Sequence, residues 1–256
     1  MNRRKTVTTA VCIALWLLIW FIAAYFIHND LFLPSPVSVI KELWSLMHTG
    51  DFYKSILYSL RGIGAGFLTG LLSGILLAAL SYRFSFAESF ISVPVKVIKA
   101  VPVASFVILS LLLLKASALS TLISALMVMP MIYSGVLSAL KNTDIRMLEF
   151  AKVYRLSAWK KTVYIYIPAV MSPLTASASV AIGFAWKSGV AAETIGLIRN
   201  SIGNELYKTK LYLETPALFA WTLAIVIISA LCELLIKYIL KLVSAVLGGG
   251  RSEHGN

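Results

Sequence analysis

The chain has 256 residues, of which 59% are hydrophobic and only 13% are charged, and its mean hydropathy is +0.85. A soluble domain carries roughly 25% charged residues, so this composition excludes an ordinary soluble domain and predicts a protein solvated mainly by lipid. The net charge of +12 does not predict a nucleic-acid binder, because the basic residues are scattered between long apolar runs and no nucleic-acid motif is present. Two separated cysteines and three isolated histidines predict no disulfide framework, no metal site and no cofactor.

Six apolar segments approach or exceed the roughly 20 residues that a helix needs to cross a bilayer. They are Thr8–Ile27, about Ser59–Tyr82, about Val101–Leu114 with the apolar residues before it, Ala116–Leu140, about Ala169–Val190 and Pro216–Val243. The first follows a basic run as a signal peptide does, but it exceeds the roughly 7–15 apolar residues of such peptides, so we expect an uncleaved span. We predict an all-α polytopic membrane protein, one domain over 1–256, with core spans over 59–243 and a tail over 244–256.

A short helix is predicted between the first two spans. Ser35 suits its N-cap and Pro36 its first turn. The apolar residues that follow recur on one helical face, which indicates an amphipathic helix on the outer membrane surface or packed on the bundle.

The second span carries a stripe of glycines at four-residue intervals, namely Gly62, Gly66, Gly70 and Gly74. Residues at this spacing share one helical face, and missing side chains let another helix approach closely. The stripe predicts tight packing, either within the subunit or across a dimer.

Pro94 and Pro102 interrupt the third span. Proline removes a backbone hydrogen bond, and such breaks are tolerated at membrane depth where protein or a water-filled cavity covers the freed groups. The segment is therefore either a cavity wall or a simply kinked helix.

The distribution of Lys and Arg predicts that both termini are cytoplasmic. With the N-terminus inside, 15 of the 23 basic residues fall in cytoplasmic segments. The other eight are Lys41, Lys54, Arg61, Lys115, Lys187, Arg199, Lys208 and Lys210.

The longest inside loop, 141–168, predicts an amphipathic helix. Its apolar face carries Met147, Phe150, Ala151 and Tyr154, and its charged face carries Arg146, Glu149, Lys152 and Arg155. Such a helix either lies on the membrane surface or docks into a groove on a partner protein. Ser157 and a basic Trp-Lys-Lys run follow, before Pro168 leads into the fifth span.

This loop resembles the EAA loop of ABC importer permeases, whose pattern is Glu-Ala-Ala, three residues, Gly, nine residues and Ile-x-Leu-Pro. The matches at the same spacing are Glu149, Ala151, Ile165, Ile167 and Pro168. The chain departs from the pattern at Phe150, a change often seen in one branch of the family, and at Arg155, where the family has glycine. Because glycine eases a turn between two short helices, Arg155 predicts either a more continuous helix or a strained turn.

Further resemblance points to the branch of these permeases that imports nitrate, sulfonates and taurine. The residues that carry it are Leu33–Pro36, Ser59–Arg61, Pro102, Ala185–Trp186 and Ala191–Glu193. The resemblance implies a type I importer core that pairs with a second permease copy or a paralogue and receives its solute from an external binding protein. It also implies that separate ATPase subunits grip the loop residues Glu149, Phe150, Ala151, Tyr154, Arg155 and Ser157. The sequence contains no Gly-x₄-Gly-Lys-[Ser/Thr] phosphate loop, so we predict a transport subunit that is not itself an enzyme.

Ionisable and helix-breaking residues within spans are candidates for the translocation pathway, since charges in a membrane are costly. These candidates are Arg61, Lys187, Glu193 and Pro102. Either cation could attract an anionic solute. The alternatives are that Arg61 snorkels to the headgroups and that Lys187 pairs with Glu193 or another acid.

Two other classes of protein compete with this interpretation. A secondary transporter or channel often shows inverted repeats and paired broken helices, and no convincing repeat is visible here. A membrane-embedded enzyme needs clustered His, Asp or Glu, whereas the eleven acids are dispersed.

Overall fold

The computed structural model describes residues 3–248, and within them the chain is helical and contains no strand. The predicted all-α fold is therefore confirmed. His254 and most of the predicted tail, 244–256, fall outside the described residues. The α-helices are α1 (Arg3–Ile27), α2 (Pro36–Met47), α3 (Gly50–Arg83), α4 (Ser85–Ala100), α5 (Val103–Leu113), α6 (Leu119–Lys141), α7 (Ile145–Val153), α8 (Ala158–Lys161), α9 (Ile167–Ile195), α10 (Ile202–Leu211) and α11 (Thr215–Gly248). A 3₁₀ turn, Ala116–Ala118, precedes α6, and a π segment, Thr162–Tyr166, joins α8 to α9.

Five stretches of the described chain are helical, long and apolar enough to cross a membrane: α1, α3, α6 with its 3₁₀ turn, α8–α9 and α11. The second span begins at Gly50 rather than Ser59, and the fifth extends over Ala158–Ile195. The predicted helix α2 is confirmed, with the Ser35 side chain accepting a hydrogen bond from the Ser38 backbone N–H.

The glycine stripe of α3 packs within the subunit, against α6. A Cβ at Gly66 would lie 2.5 Å from the Thr121 carbonyl oxygen, and a Cβ at Gly74 would lie 2.8 Å from the Ile132 Cβ. Successive glycines meet successively later residues of α6, so the two helices run parallel. The stripe therefore serves contact inside the subunit, which decides between the two alternatives that the sequence left open.

The third span is broken, and the apolar segment predicted to precede Val101 forms helix α4, which begins at Ser85. Helices α4 and α5 meet at an angle of 106°. Val101 is extended, with φ −79° and ψ 133°, as expected for a residue before proline. Pro94, by contrast, lies inside α4 without ending it, so only Pro102 breaks the span.

The parallel pairing of α3 and α6 shows that the bent pair crosses the membrane. Parallel neighbours begin on the same side, so the chain between them must return to that side. The start of α4 lies at the end of α6 that leads into loop 141–168, where Glu88 pairs with Lys141. Val107 of α5 packs in one cluster with Leu119, at the opposite end of α6. With the five long helices this gives six candidate spans, in agreement with the six that the sequence predicted.

The buried core lies between α3, α6 and α9, and α11 and α10 cover one side of it. Helix α9 runs antiparallel to α6, because Ser124 bonds to Ala185 while Gly135 lies against Ser177. Helix α1 is peripheral and almost wholly exposed. It is tied to the rest by a hydrogen bond from the Trp20 indole N–H to the Pro34 carbonyl.

Candidate translocation and coupling sites

The loop between α6 and α9 folds as two short helices, α7 and α8, joined by a tight turn. Asp144 caps α7 by accepting a hydrogen bond from the Arg146 N–H, and Ser157 caps α8 by accepting one from Lys160. Each cap satisfies a free N–H group of the first helical turn. The caps explain why two separate helices form in so short a loop.

Arg155 occupies a left-handed turn, with φ 49°. The Leu156 N–H bonds to the Ala151 carbonyl and the Arg155 N–H to the Lys152 carbonyl, which is the Schellman pattern that usually carries glycine at this position. Of the two sequence alternatives, the structure shows the strained turn, because α7 ends at Val153 instead of continuing.

The exposed side of this loop is rich in apolar groups. Phe150 is 53% exposed, Val153 77% and Trp159 75%, and the ring centroids of Phe150 and Tyr154 lie 4.3 Å apart. Glu149 is exposed on the same helix. Ala151 is 0% exposed, so it supports the helix from inside and is unavailable for direct contact with a partner.

Helix α8, the π segment and α9 form one continuous helical segment that runs from the loop into the helix bundle. Pro168 has no N–H to donate to the Tyr164 carbonyl, and the backbone next to it widens into the π segment. Tyr166 of this segment meets Tyr82 of α3, with ring centroids 5.5 Å apart. The segment that follows the loop thus continues into α9 and contacts α3.

The bend of the third span borders a cavity of about 870 Å³ that lies against the middle of α6 and α9. Its lining is mostly apolar, and Pro102, Met127 and Val180 contribute to it. Pro102 therefore lies at a cavity wall, one of the two alternatives for the interrupted span.

Lys99 lines this cavity, and sequence reasoning missed it as a site residue. It was counted among the basic residues of the inner loops, yet its ammonium donates a 2.6 Å hydrogen bond to the Ser134 Oγ. Ser134 lies about 10 Å along α6 from Lys141, at 1.5 Å per residue, so the Lys99 ammonium lies about that far from the end of α6. The available signal was its position three residues before the break at Pro102.

Glu193 is 0% exposed at the outer end of α9, opposite the cytoplasmic loop in the predicted orientation. Its Oε2 accepts hydrogen bonds from the Ser59 Oγ at 2.7 Å and from the Gly203 N–H at 3.2 Å, and the Ile202 N–H bonds to Ser59 in turn. Its Oε1 is buried without a partner among the described residues. These hydrogen bonds among Glu193, Ser59, Ile202 and Gly203 hold α3 and the start of α10 against α9, and we call the group the clasp.

Gly203 is required by this clasp, since a Cβ there would lie 2.4 Å from the Glu193 Cβ. Helix α10 itself was not predicted from the sequence. Ser201 caps it by accepting a hydrogen bond from the Asn204 N–H, and this serine with the turn before it was the available signal.

The remaining pathway candidates, Arg61 and Lys187, are both exposed. Arg61 lies level with the start of α6, because its neighbour Gly62 meets Ser120. The Lys187 ammonium lies 5.8 Å from the centroid of the Phe184 ring, which lines the cavity. Within residues 3–248 it forms no ion pair with Glu193 or another acid.

Six candidate spans, a broken span beside a cavity and an apolar two-helix loop at one end fit a multi-pass membrane component of a transport system. The chain belongs to the family of binding-protein-dependent transport system inner membrane components, whose model matches residues 70–246. This confirms the predicted resemblance to ABC importer permeases and places the protein in the inner membrane. The matched region begins within α3 and so leaves out the peripheral α1.

Relatives support the same family, and two of them are named for transport of aliphatic sulfonates. A probable ABC transporter permease protein of Brucella melitensis is 26% identical over 219 residues, covering 80% of this chain and 83% of the relative. A putative aliphatic sulfonates transport permease protein, SsuC, of Bacillus subtilis is 20% identical over 89% of this chain and 82% of its own length. The protein of that name in Escherichia coli is 25% identical over 72% of this chain and 70% of its own length.

Proposed function

We propose that this permease forms the translocation path of an ATP-driven importer for a small anion such as a sulfonate, taurine or nitrate. In this proposal it pairs with a second copy or a paralogue, receives solute from an external binding protein and is driven by separate ATPase subunits that dock on loop 141–168. The observation that carries the proposal is the exposed apolar side of α7 and α8, which a continuous helical segment joins to the bundle.

Docking on a protein explains this apolar side better than lying on the membrane does. The continuous helical segment Ala158–Ile195 has 38 residues and is about 57 Å long at 1.5 Å per residue, well beyond a hydrocarbon core of about 30 Å. The loop therefore projects past the bilayer, where exposed side chains such as Val153 and Trp159 need a protein partner to cover them.

The proposed mechanism follows from the continuity of this connection. When the ATPase subunits close on ATP, they move α7 and α8, and the π segment beside Pro168 passes the movement into α9. The Tyr82–Tyr166 contact carries it into α3. Packed helices switch between discrete arrangements, so the path alternates between inward-facing and outward-facing states.

In the proposed orientation both termini are cytoplasmic. Six crossings put the two ends of the chain on the same side of the membrane. The segments on that side carry 15 of the 23 Lys and Arg residues, which favours the cytoplasmic side for both termini. The anionic solute is supported by the names of the sulfonate relatives and by Lys99 and Lys187 beside the cavity.

Substitution of Val153 by Asp tests the coupling role, with Lys152→Ser as a control at a neighbouring exposed position. The Asp variant is expected to lose co-purification with the ATPase subunits and solute uptake, because a charge would be buried in the docking contact. The control is expected to retain both. If Val153→Asp assembled and transported normally, loop 141–168 would not be the docking element.

A further inference from the structure

We infer that the cavity at the broken span is an anion-binding site of the permease itself and that Lys99 supplies its positive charge. The ligand it fits is a small anion with a short apolar part, such as an alkylsulfonate. This inference rests on the proposed function, because it assigns a binding site for that solute class to named residues of this chain.

The first argument is the charge balance around the cavity. Lys99 is the one ionisable side chain of the described residues that lines it. The ion pairs formed within residues 3–248 do not include Lys99 or Lys187. The Lys99 side chain is exposed and its charge is not compensated by an ion pair within the described residues, so an anion that enters the cavity would be attracted to it.

The second argument is the backbone at the break. The break at Pro102 starts a new helix, α5, and its first residue, Val103, lines the cavity. The positive end of the α5 dipole adds to the charge of Lys99. Broken helices in other membrane proteins direct their N-terminal ends at anionic groups in this way.

The third argument is the apolar remainder of the lining. Residues such as Met127, Val180 and Phe184 surround the space next to Lys99. A site with one charged corner and apolar walls favours an anion with a short hydrocarbon part over a fully hydrated inorganic ion. Its volume of about 870 Å³ is within the range of about 300–1,000 Å³ found for small-molecule sites.

A purely structural role for Lys99 is the competing explanation. Its ammonium bonds to Ser134, whose hydroxyl also bonds to the Pro130 carbonyl in the same helix. In that case removal of the Ser134 hydroxyl would matter as much as removal of the charge. The two explanations therefore differ in what Ser134→Ala and Lys99→Arg do.

Charge-selective thiol labelling tests the site without requiring transport. A cysteine is placed on the cavity wall by Val180→Cys, in a chain whose two native cysteines have been replaced, within the assembled importer in membranes. Its labelling rate is compared for two methanethiosulfonate reagents, one carrying a sulfonate and the other a trimethylammonium group. Lys99→Met is expected to lower the ratio of sulfonate to ammonium rates on the order of tenfold, as for removal of a nearby unit charge at intermediate dielectric constant.

Three matched variants complete the experiment. Lys99→Arg and Ser134→Ala are expected to keep the ratio within about twofold of the parent. The same is expected of Lys96→Met, because Lys96 lies on the same helix and is exposed like Lys99 but does not line the cavity. An unchanged ratio in Lys99→Met overturns the inference. An equal fall in Ser134→Ala also overturns it, in favour of the structural role.

Uptake of ethanesulfonate by the same assembled importer separates this inference from the proposed function. Loss of uptake in Lys99→Met with rescue in Lys99→Arg supports the site. If the parent protein imported no anion but the labelling ratio still depended on Lys99, the proposed solute would be wrong while the cationic cavity stood.

Discussion

Replacement of Gly70 by Ala tests whether the glycine stripe holds the core of the permease together. A Cβ at this position would lie 2.7 Å from the Val128 Cβ and 2.8 Å from the Ala125 carbonyl oxygen. Because carbon atoms pack at about 3.5–4.0 Å, α3 and α6 would have to separate by about 1 Å. The two helices share the largest helix contact of the subunit, so the strain falls on its centre.

Gly64→Ala is the matched control, because Gly64 lies on the same helix and a Cβ there would meet no neighbouring atom within 4 Å. Both substitutions gain the same helix preference of alanine over glycine, about 1 kcal/mol. The difference between them therefore isolates the steric conflict, which we expect to destabilise Gly70→Ala by about 1–3 kcal/mol relative to Gly64→Ala.

The measurement is the midpoint of unfolding of the purified chain in dodecyl sulfate titrations, together with its apparent Tm in detergent. Gly70→Ala is expected to unfold at a lower midpoint than Gly64→Ala, and Gly70→Val at a lower midpoint still. Equal midpoints for the two alanine variants would refute the packing of α3 against α6 through this face.

Three further predictions concern the clasp, the loop turn and the broken span. Glu193→Ala is expected to destabilise the protein by about 2–5 kcal/mol, because it leaves buried donors unpaired and creates a cavity. Glu193→Gln keeps an acceptor and is expected to retain most of the stability. Thermal unfolding of the two variants provides the comparison. Arg155→Gly is expected to stabilise the loop by about 1 kcal/mol, since glycine adopts a left-handed turn without strain. The stabilisation would slow amide hydrogen exchange over 145–161, and faster exchange would contradict the prediction. Pro102→Ala is expected to straighten the third span and reduce solute uptake while leaving subunit assembly intact, and unchanged uptake would count against a role for the bend.

Much of this fold follows from the sequence, because a membrane makes local demands on it. Each crossing helix must hide its backbone and show apolar side chains to lipid, so the spans, the amphipathic α2 and the loop 141–168 are visible in composition and periodicity alone. The glycine stripe and the spacing from Glu149 to Pro168 are local signals too, and together with the branch motifs they predicted the family.

The sequence did not show which elements face one another. It indicated close packing at Gly66 and Gly70 but not that the partner was α6, and it marked two prolines without showing that only Pro102 breaks the chain. It also placed Lys99 in a loop, since a short helix that bends in the membrane carries no distinct pattern. These outcomes depend on contacts between residues far apart in the chain, which local periodicity does not record.

The sequence by itself determined that this chain is a helical membrane protein with an amphipathic loop over 141–168, because lipid exposure and helical periodicity are properties of neighbouring residues. The tertiary structure alone decided the parallel pairing of α3 and α6, and hence that the bent third span crosses the membrane. It also decided that Glu193 is a buried clasp and that Lys99 borders the cavity, because both depend on which helices meet at depth.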